Sequence, residues 1–413
     1  MVLKLGATPL EISGTVNTKT TPAQLDVNLK ASNVSIAEAA RLAAASGVAL
    51  GAGTNVSGTM NANIQARGAA STPALNGTLS GRNLQMSGKA IAQPVQVPAV
   101  NLTLTPTDIR SDKFNITSGG TTVAAQLGVQ QYLAKPPFMN ATLRATNAQL
   151  PAILSIAKAY GVTGAEKLSG SGVLNLDAHA AGPIEGLSTT QMMRALNGTT
   201  SLNFNNVRYS GADISHQVAA IAGFLHKSNQ SDQGFTNILK MTGNIVVKNG
   251  VAETNDLQAL LDIGNLGVTG TADLATQALN LRVTAVLTKA FTDKLGGVAG
   301  ISGYMNTALG NSQGETVIPA VVTGTFEKPK FAPDLKQVAQ MKLKGLLPTS
   351  NNPSSAVSGI LGGLLGKKGA SQTQQQTQQQ AQPEQQPQNA DGQIISIFGK
   401  KKQQQQPQQQ PPK

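Results

Sequence analysis

The stretch Leu25-Asp26-Val27-Asn28-Leu29-Lys30 sets apolar and polar residues in strict alternation. Successive side chains on an extended strand point to opposite faces, so this run has one apolar and one polar face. The pattern recurs along the chain. Met60, Ala62, Ile64 and Ala66 alternate with Asn61, Asn63, Gln65 and Arg67. Further runs are Val100-Leu102-Leu104, Leu174-Leu176-Ala178, Leu202-Phe204, Ile245-Val247 and Leu279-Leu281-Val283-Ala285. Asn76-Gly77, Asn197-Gly198 and Asn249-Gly250 sit at or between such runs, where residues tolerant of positive φ suit hairpins. The expectation is a mainly β chain, antiparallel, with one wet face.

Three short helices punctuate the strands. Ser35 and Glu38 have capping-box spacing ahead of an Ala-rich run to Gly47. Pro151 suits the first turn of a helix over 152–160 that stops at Gly161. In 213–226, Ile214, Val218, Ile221 and Leu225 share one stripe.

Two of these helices belong to an internal repeat. Leu29-Lys-Ala-Ser-Asn33 matches Leu143-Arg-Ala-Thr-Asn147, and Ser57-Gly-Thr-Met-Asn61 matches Ser171-Gly-Val-Leu-Asn175, both 114 residues on. The register slips later, at Leu75–Thr78 against Leu196–Thr199 and at Asn83–Gly88 against Asn206–Gly211, which fits an insertion around Ile184–Arg194. The repeat divides the chain into a first β-unit over 1–128 and a second over 129–340. A Gln-, Pro- and Lys-rich tail over 341–413 is too polar to bury a core and is expected to be disordered. The fold class expected is a long curved antiparallel sheet, forming an apolar groove from repeated strand–helix–strand units.

Composition narrows the function. The 413 residues include no Cys and no Trp, and only His179, His216 and His226 among histidines, leaving little material for thiol, zinc or imidazole chemistry. His216 and His226 would lie almost three turns apart on one helix, too far to share a metal. No nucleophile elbow, zincin or phosphate-loop motif occurs, and the acids are scattered. Neither catalytic residues nor a metal or cofactor are expected. The net charge of +12 draws on eight lysines of the tail set against Glu384 and Asp391. Stacking on single-stranded nucleic acid needs aromatics among such lysines, and the tail has Phe398 alone, so nucleic acid is not an expected partner.

The first residues lack the apolar run and cleavage site of a secretory leader, and no apolar run of about 18 residues occurs, so neither a leader nor a bilayer-spanning segment is expected in this sequence. Two apolar islands, Val357–Leu365 and Ile394–Phe398, run into lysines. In the first, Ile360, Leu361, Leu364 and Leu365 with Lys367 and Lys368 could lie at an anionic lipid surface, dock on the β-structure, or stay unfolded.

Over roughly 130–340 the chain resembles the C-terminal region of the AsmA family of bacterial envelope proteins. The residues that carry the resemblance run in order. Leu239-Lys-Met-Thr-Gly-Asn-Ile-Val-Val-Lys-Asn-Gly-Val251 comes first, followed by Asn255-Asp-Leu257. Gly267-Val-Thr-Gly-Thr-Ala-Asp-Leu274, Leu279-Asn-Leu-Arg-Val283 and Ile318-Pro-Ala-Val-Val-Thr-Gly-Thr-Phe326 come next, with Pro329, Phe331, Pro333 and Asp334 closing the string. The resemblance implies a folded-over β-groove related to chorein-type bridge proteins. It also implies a periplasmic location behind an inner-membrane helix, and a part in outer-membrane biogenesis and phospholipid movement between the two membranes. The anchor and N-terminal domain of that pattern are missing, so the resemblance implies the C-terminal half of a longer protein.

The apolar strand faces themselves fit either the core of an ordinary sandwich or an open trough for acyl chains. In the trough reading, Leu25, Val27, Leu29, Leu174, Leu176, Leu279, Leu281 and Val283 contact phospholipid acyl chains, while Asn28 and Arg282 point outward and tolerate change. One competing expectation is a structural or chaperone-like factor that pairs with outer-membrane protein strands at open sheet edges. Another is an adhesin-like repeat protein with a dry core and no lipid.

Overall fold

The computed structural model describes residues 2–5, 8–45, 53–89, 91–159, 167–184, 188–222, 232–294, 310–345, 347–351 and 353. Nineteen strands among them belong to one sheet. In the first half these are β1 Val2–Leu5, β2 Thr8–Asn17, β3 Gln24–Ser35, β4 Thr54–Ala69, β5 Ala74–Gly88, β6 Ile91–Leu104, β7 Ile109–Ser111, β8 Phe114–Ser118 and β9 Thr121–Gln130. Then come β10 Phe138–Gln149, β11 Leu168–Ser169, β12 Val173–Pro183, β13 Asn197–Tyr209, β14 Thr236–Lys248, β15 Val251–Leu261, β16 Gly264–Asp273, β17 Leu279–Leu287, β18 Thr316–Gly324 and β19 Pro329–Pro333. Apart from β7–β8, β10–β11 and β11–β12, each strand pairs antiparallel with the next, as short connections favour. In two places a pair of successive strands shares one lane. β7 and β8 both lie between β6 and β9, and β11 and β12 both pair with β13.

The alternation read from the sequence becomes rows of side chains across this meander. Leu29 sits between Ile12 on β2 and Ile64 on β4, and Val27 between Gly14 and Ala66. The opposite face carries the polar residues. There the Asp26 carboxylate accepts from Arg67 Nε at 3.1 Å and from Gln65 Nε2 at 3.0 Å. Hydrogen bonds from Arg67 and Gln65 hold that carboxyl below its ordinary value.

The alternation does not run unbroken along a strand. On β3 the apolar set is Leu25, Val27, Leu29 and Ala31, then Val34. The step occurs at a bulge where two residues, Ser32 and Asn33, stand opposite Asn61, and Asn33 adopts φ 55°. On β10 Thr146 and Asn147 stand opposite Asn175 in the same way, with Asn147 at φ 50°. Asn83 on β5 and Asn206 on β13 are also left-handed, at φ 50° and 52°. After each the buried parity changes, to Leu84 and Met86 on β5 and to Val207 and Tyr209 on β13. A bulge that adds one residue returns the apolar set to the same side of the sheet and bends the strand there.

Past two of these bulges the chain folds over the apolar face as a helix. β3 runs into α1 (Ile36–Ala45) and β10 into α2 (Leu150–Ala159). The Ser35 hydroxyl accepts the Glu38 N–H at 3.4 Å, and Pro151 stands in the first turn of α2. Under α2, Ile153 and Ile156 pack on Val95, Val97, Ile116, Val123, Ala125, Ala145 and Ala148. A larger core gathers Ile238, Ala259, Leu261, Ile263, Leu266, Leu279, Val283, Ala285, Leu287, Ile318 and Val322 with Val218. Val218 belongs to α4 (Ile214–Ala222), which follows β13 and corresponds to the helix expected over 213–226; Leu225 and His226 lie outside the described residues.

Several expectations need correction. Asn249-Gly250, at φ 48° and 76°, does form the two-residue turn between β14 and β15. Asn76-Gly77 and Asn197-Gly198 instead lie inside β5 and β13. Gly77 is needed for close approach: at φ 145° opposite Ile64, a Cβ there would strike the Asn63 carbonyl. The insertion around 184–194 contains the short helix α3 (Thr189–Ala195), and α5 (Lys289–Lys294) follows β17.

The boundary drawn near residue 340 falls inside a further helix, α6 (Leu335–Lys344). Asp334 caps it by accepting the Gln337 N–H at 3.0 Å, and Gly345 closes it at φ 59°. Met341 of α6 is 1% exposed against Val286, Val317 and Leu347. Beyond α6, Leu347 and Ser350 are still held against the sheet, and the Ser350 carbonyl accepts from Asn265 Nδ2 at 2.7 Å.

Candidate functional site

Strands β13 to β19 all contribute side chains to one cavity of about 360 Å³. That size lies within the roughly 300–1,000 Å³ span of small-molecule sites. The parity of each strand decides which residues reach it. β17 offers Leu279, Leu281, Val283 and Ala285, β18 offers Ile318, Ala320 and Val322, and β15 offers Leu257, Ala259 and Leu261. Ile214 and Val218 of α4 also line it.

Four aromatic side chains, Phe204, Tyr209, Phe326 and Phe331, line the cavity in a chain where aromatics are 3% of residues. The Tyr209 hydroxyl is the single polar side-chain group on the lining, and it donates to the Phe326 carbonyl at 3.5 Å. Burial raises the Tyr209 phenol above its ordinary value, so it stays a neutral donor. Phe326 both lines the cavity and is 42% exposed, which marks where the space reaches solvent. Beside Tyr209, the Arg208 guanidinium lies 4.2 Å over the Phe235 ring on the sheet's other face.

α4 is pinned at its start by polar bonds. Thr236 Oγ1 accepts the Ile214 N–H at 2.8 Å and donates to the Ala212 carbonyl at 2.6 Å. The buried Asp213 carboxylate accepts from the His216 N–H and the Gln233 N–H, both at 2.9 Å. These bonds fix the apolar stripe of α4 over the cavity.

The proposed lipid-contacting residues do not all meet in one place. Leu279, Leu281 and Val283 line the cavity. Leu174 is buried, and Leu176 packs at the edge of the core under α2. Leu25, Val27 and Leu29 are half-buried on the apolar face of β3, and their neighbour Val16 on β2 is 54% exposed. A second cavity of about 180 Å³ lies between these regions, lined by Ile36 of α1, Ala159 of α2 and residues of β4 to β6, including Val56, Met86 and Val95. The proposed membrane-surface residues Ile360, Leu361, Leu364, Leu365, Lys367 and Lys368 lie outside the described residues.

Arg282 is not the indifferent outward residue that alternation suggests. Its Nη1 lies 3.2 Å from Oδ2 of Asp334, a carboxylate only 4% exposed. Sequence reading also missed the aromatic lining: Tyr209 ends β13, Phe326 sits in the turn before β19, and Phe331 lies in the five-residue β19, where no alternating run marks them.

Among the described residues, no group of three or more His, Asp or Glu could hold a metal ion, and no helix is long and apolar enough to cross a membrane. Searches against protein-family models, curated proteins and solved structures find no match to this chain.

Proposed function

We propose that this chain is a non-enzymatic lipid-handling protein that shelters acyl chains against the apolar side of its sheet. The observation that carries this reading is the cavity lining, apolar throughout apart from the Tyr209 hydroxyl. Acyl chains need a continuous apolar wall and no directional hydrogen bonds, and such a wall gains roughly 25 cal/mol for each Å² of apolar surface withdrawn from water.

The two bulged stretches, β3–α1–β4 and β10–α2–β12, are read as copies of one unit. The half-buried face of β2 to β5 is read as the continuation of the cavity into a groove. The likeness to the AsmA family supports the same reading, because its residues fall on β14 to β19, strands that line the cavity. On this proposal the protein works in the bacterial periplasm, moving phospholipid between inner and outer membranes and supporting outer-membrane biogenesis.

The test is organic extraction of the purified chain and mass spectrometry of the extract. Phospholipid at one molecule per chain or more, lost in Leu281→Asp but kept in Asn280→Asp, is the expected result. Asn280 replaces Arg282 as the outward control, because Arg282 holds Asp334. A folded, lipid-free chain would sink the proposal and favour the assembly-factor reading.

A further inference from the structure

We infer that α6 carries a second lipid contact, a docking stripe for an anionic membrane surface, on the side of the helix turned away from the sheet. Gln337 and Met341, each 1% exposed, are the residues that α6 buries. At about 100° per residue the opposite side is Leu335, Ala339 and Leu343, spaced four apart. All three are exposed, Leu335 at 74% and Leu343 at 86%, the two highest values among the exposed large hydrophobic residues described.

Exposed lysines border this stripe. Lys336, which follows Leu335 in the first turn, stands on one flank of the stripe and is exposed. α6 contains no acidic residue. Its capping carboxylate, Asp334, turns inward to Arg282 and does not offset the lysines. Lys328 and Lys330 add positive charge on the approach to the helix, against the single exposed acid Glu327.

A short apolar stripe bordered by lysines suits a helix lying flat in a bilayer interface. Its leucines enter the acyl boundary, and the lysine stems lie along it with their ammonium groups towards anionic headgroups. A polyanion without an apolar layer would leave both leucines in water. Two leucines are few, so the binding is reversible. The inference does not depend on what the cavity holds.

The experiment is co-sedimentation of the full chain with vesicles of phosphatidylglycerol and phosphatidylethanolamine, compared with phosphatidylcholine alone. Binding is expected on the anionic vesicles. Leu335→Gln with Leu343→Gln should weaken partitioning by about tenfold or more, given two side chains kept out of the bilayer. Lys336→Glu with Lys330→Glu should abolish the preference for anionic over neutral vesicles. Leu281→Asp should sediment like the parent, which separates docking from lipid uptake. Both leucines are exposed, so circular dichroism should be unchanged. Equal binding by the double leucine variant would overturn the inference, as would equal binding of the parent to neutral vesicles. So would a leucine effect confined to gel filtration, which would identify the stripe as a contact between copies of the chain.

Discussion

The side-chain Oδ1 of Asn61 accepts the backbone N–H of Asn33 at 2.8 Å. The bond bridges the β3–β4 bulge, where that N–H has no partner in the ladder. Asn175 makes the same bond to the N–H of Asn147 at 2.8 Å, on the β10–β12 bulge. Asn suits both ends: its short amide reaches the orphan N–H, and it tolerates the left-handed backbone of the bulged residue.

Removing the acceptor should therefore cost stability at either site. Asn61→Ala and Asn175→Ala are each expected to destabilise by about 0.5–1.5 kcal/mol, the usual net value of one hydrogen bond. Asn33→Val should cost more, because it forces a β-branched side chain to φ 55°. Urea midpoints of the three variants check the order. An Asn33→Val protein as stable as the parent would show that the bulge is not held as described.

Arg282 is the only cation that the structure places within 4.0 Å of the nearly buried Asp334 among the described residues. Arg282→Ala should destabilise by about 1–3 kcal/mol, the cost of leaving a buried charged group without its partner. Asn280→Ala, outward on the same strand, should be neutral. Thermal unfolding of the pair distinguishes the two, and equal melting temperatures would refute the role given to Arg282.

Acid should release the segment that follows α6. Burial by itself would raise the Glu315 carboxyl, but hydrogen bonds from Ser350 and Asn311 outweigh it and leave the group below its ordinary 4.5. Glu315 Oε2 accepts the Ser350 N–H at 3.1 Å and Asn311 Nδ2 at 2.8 Å. A depressed folded-state value means that this anchor is fully present above the unfolded-state value and is lost as pH falls through the folded one. Hydrogen exchange over 347–351, taken relative to the intrinsic rate at each pH, should accelerate below about pH 4.5 in the parent. Glu315→Gln, which keeps an acceptor without a titrating proton, should remove most of that acceleration.

Alternation made the sheet legible, because a half-buried antiparallel strand must place its apolar residues two apart. The bulges were written there too, as the shift from Leu29 and Ala31 to Val34, but a shift of parity reads as the end of a strand unless the next strand is known. Asn76-Gly77 misled for a related reason. Glycine serves close strand approach as well as turns, and only the neighbouring Asn63 carbonyl tells the two apart. α6 was hidden by polar residues on its buried side, since Gln337 is buried by donating to Thr284 Oγ1 at 3.0 Å. Its caps, Asp334 with Gln337 and Gly345, were readable signals. The cavity was legible only in part, through Leu279, Leu281 and Val283. Its other walls depend on which strands and which turn the sheet brings to face β17, and periodicity carries no such information.

Cavity and open face can be separated by one comparison. Leu281 lines the cavity, whereas Val27 is half-buried between Gly14 and Ala66, on a part of the sheet that the cavity does not reach. If acyl chains are held in the cavity alone, Leu281→Asp should abolish uptake of a fluorescent fatty acid and Val27→Asp should leave it intact. If the apolar face works as one groove, Val27→Asp should retain binding but reduce the number of acyl chains held per protein. The groove reading expects the second outcome, because the bulges at Asn33, Asn83, Asn147 and Asn206 keep the apolar set on one side of strands in both halves of the sheet. Titration of the two variants and the parent at equal protein concentration gives the stoichiometry directly. Unchanged stoichiometry in Val27→Asp would confine the site to the cavity between β13 and β19.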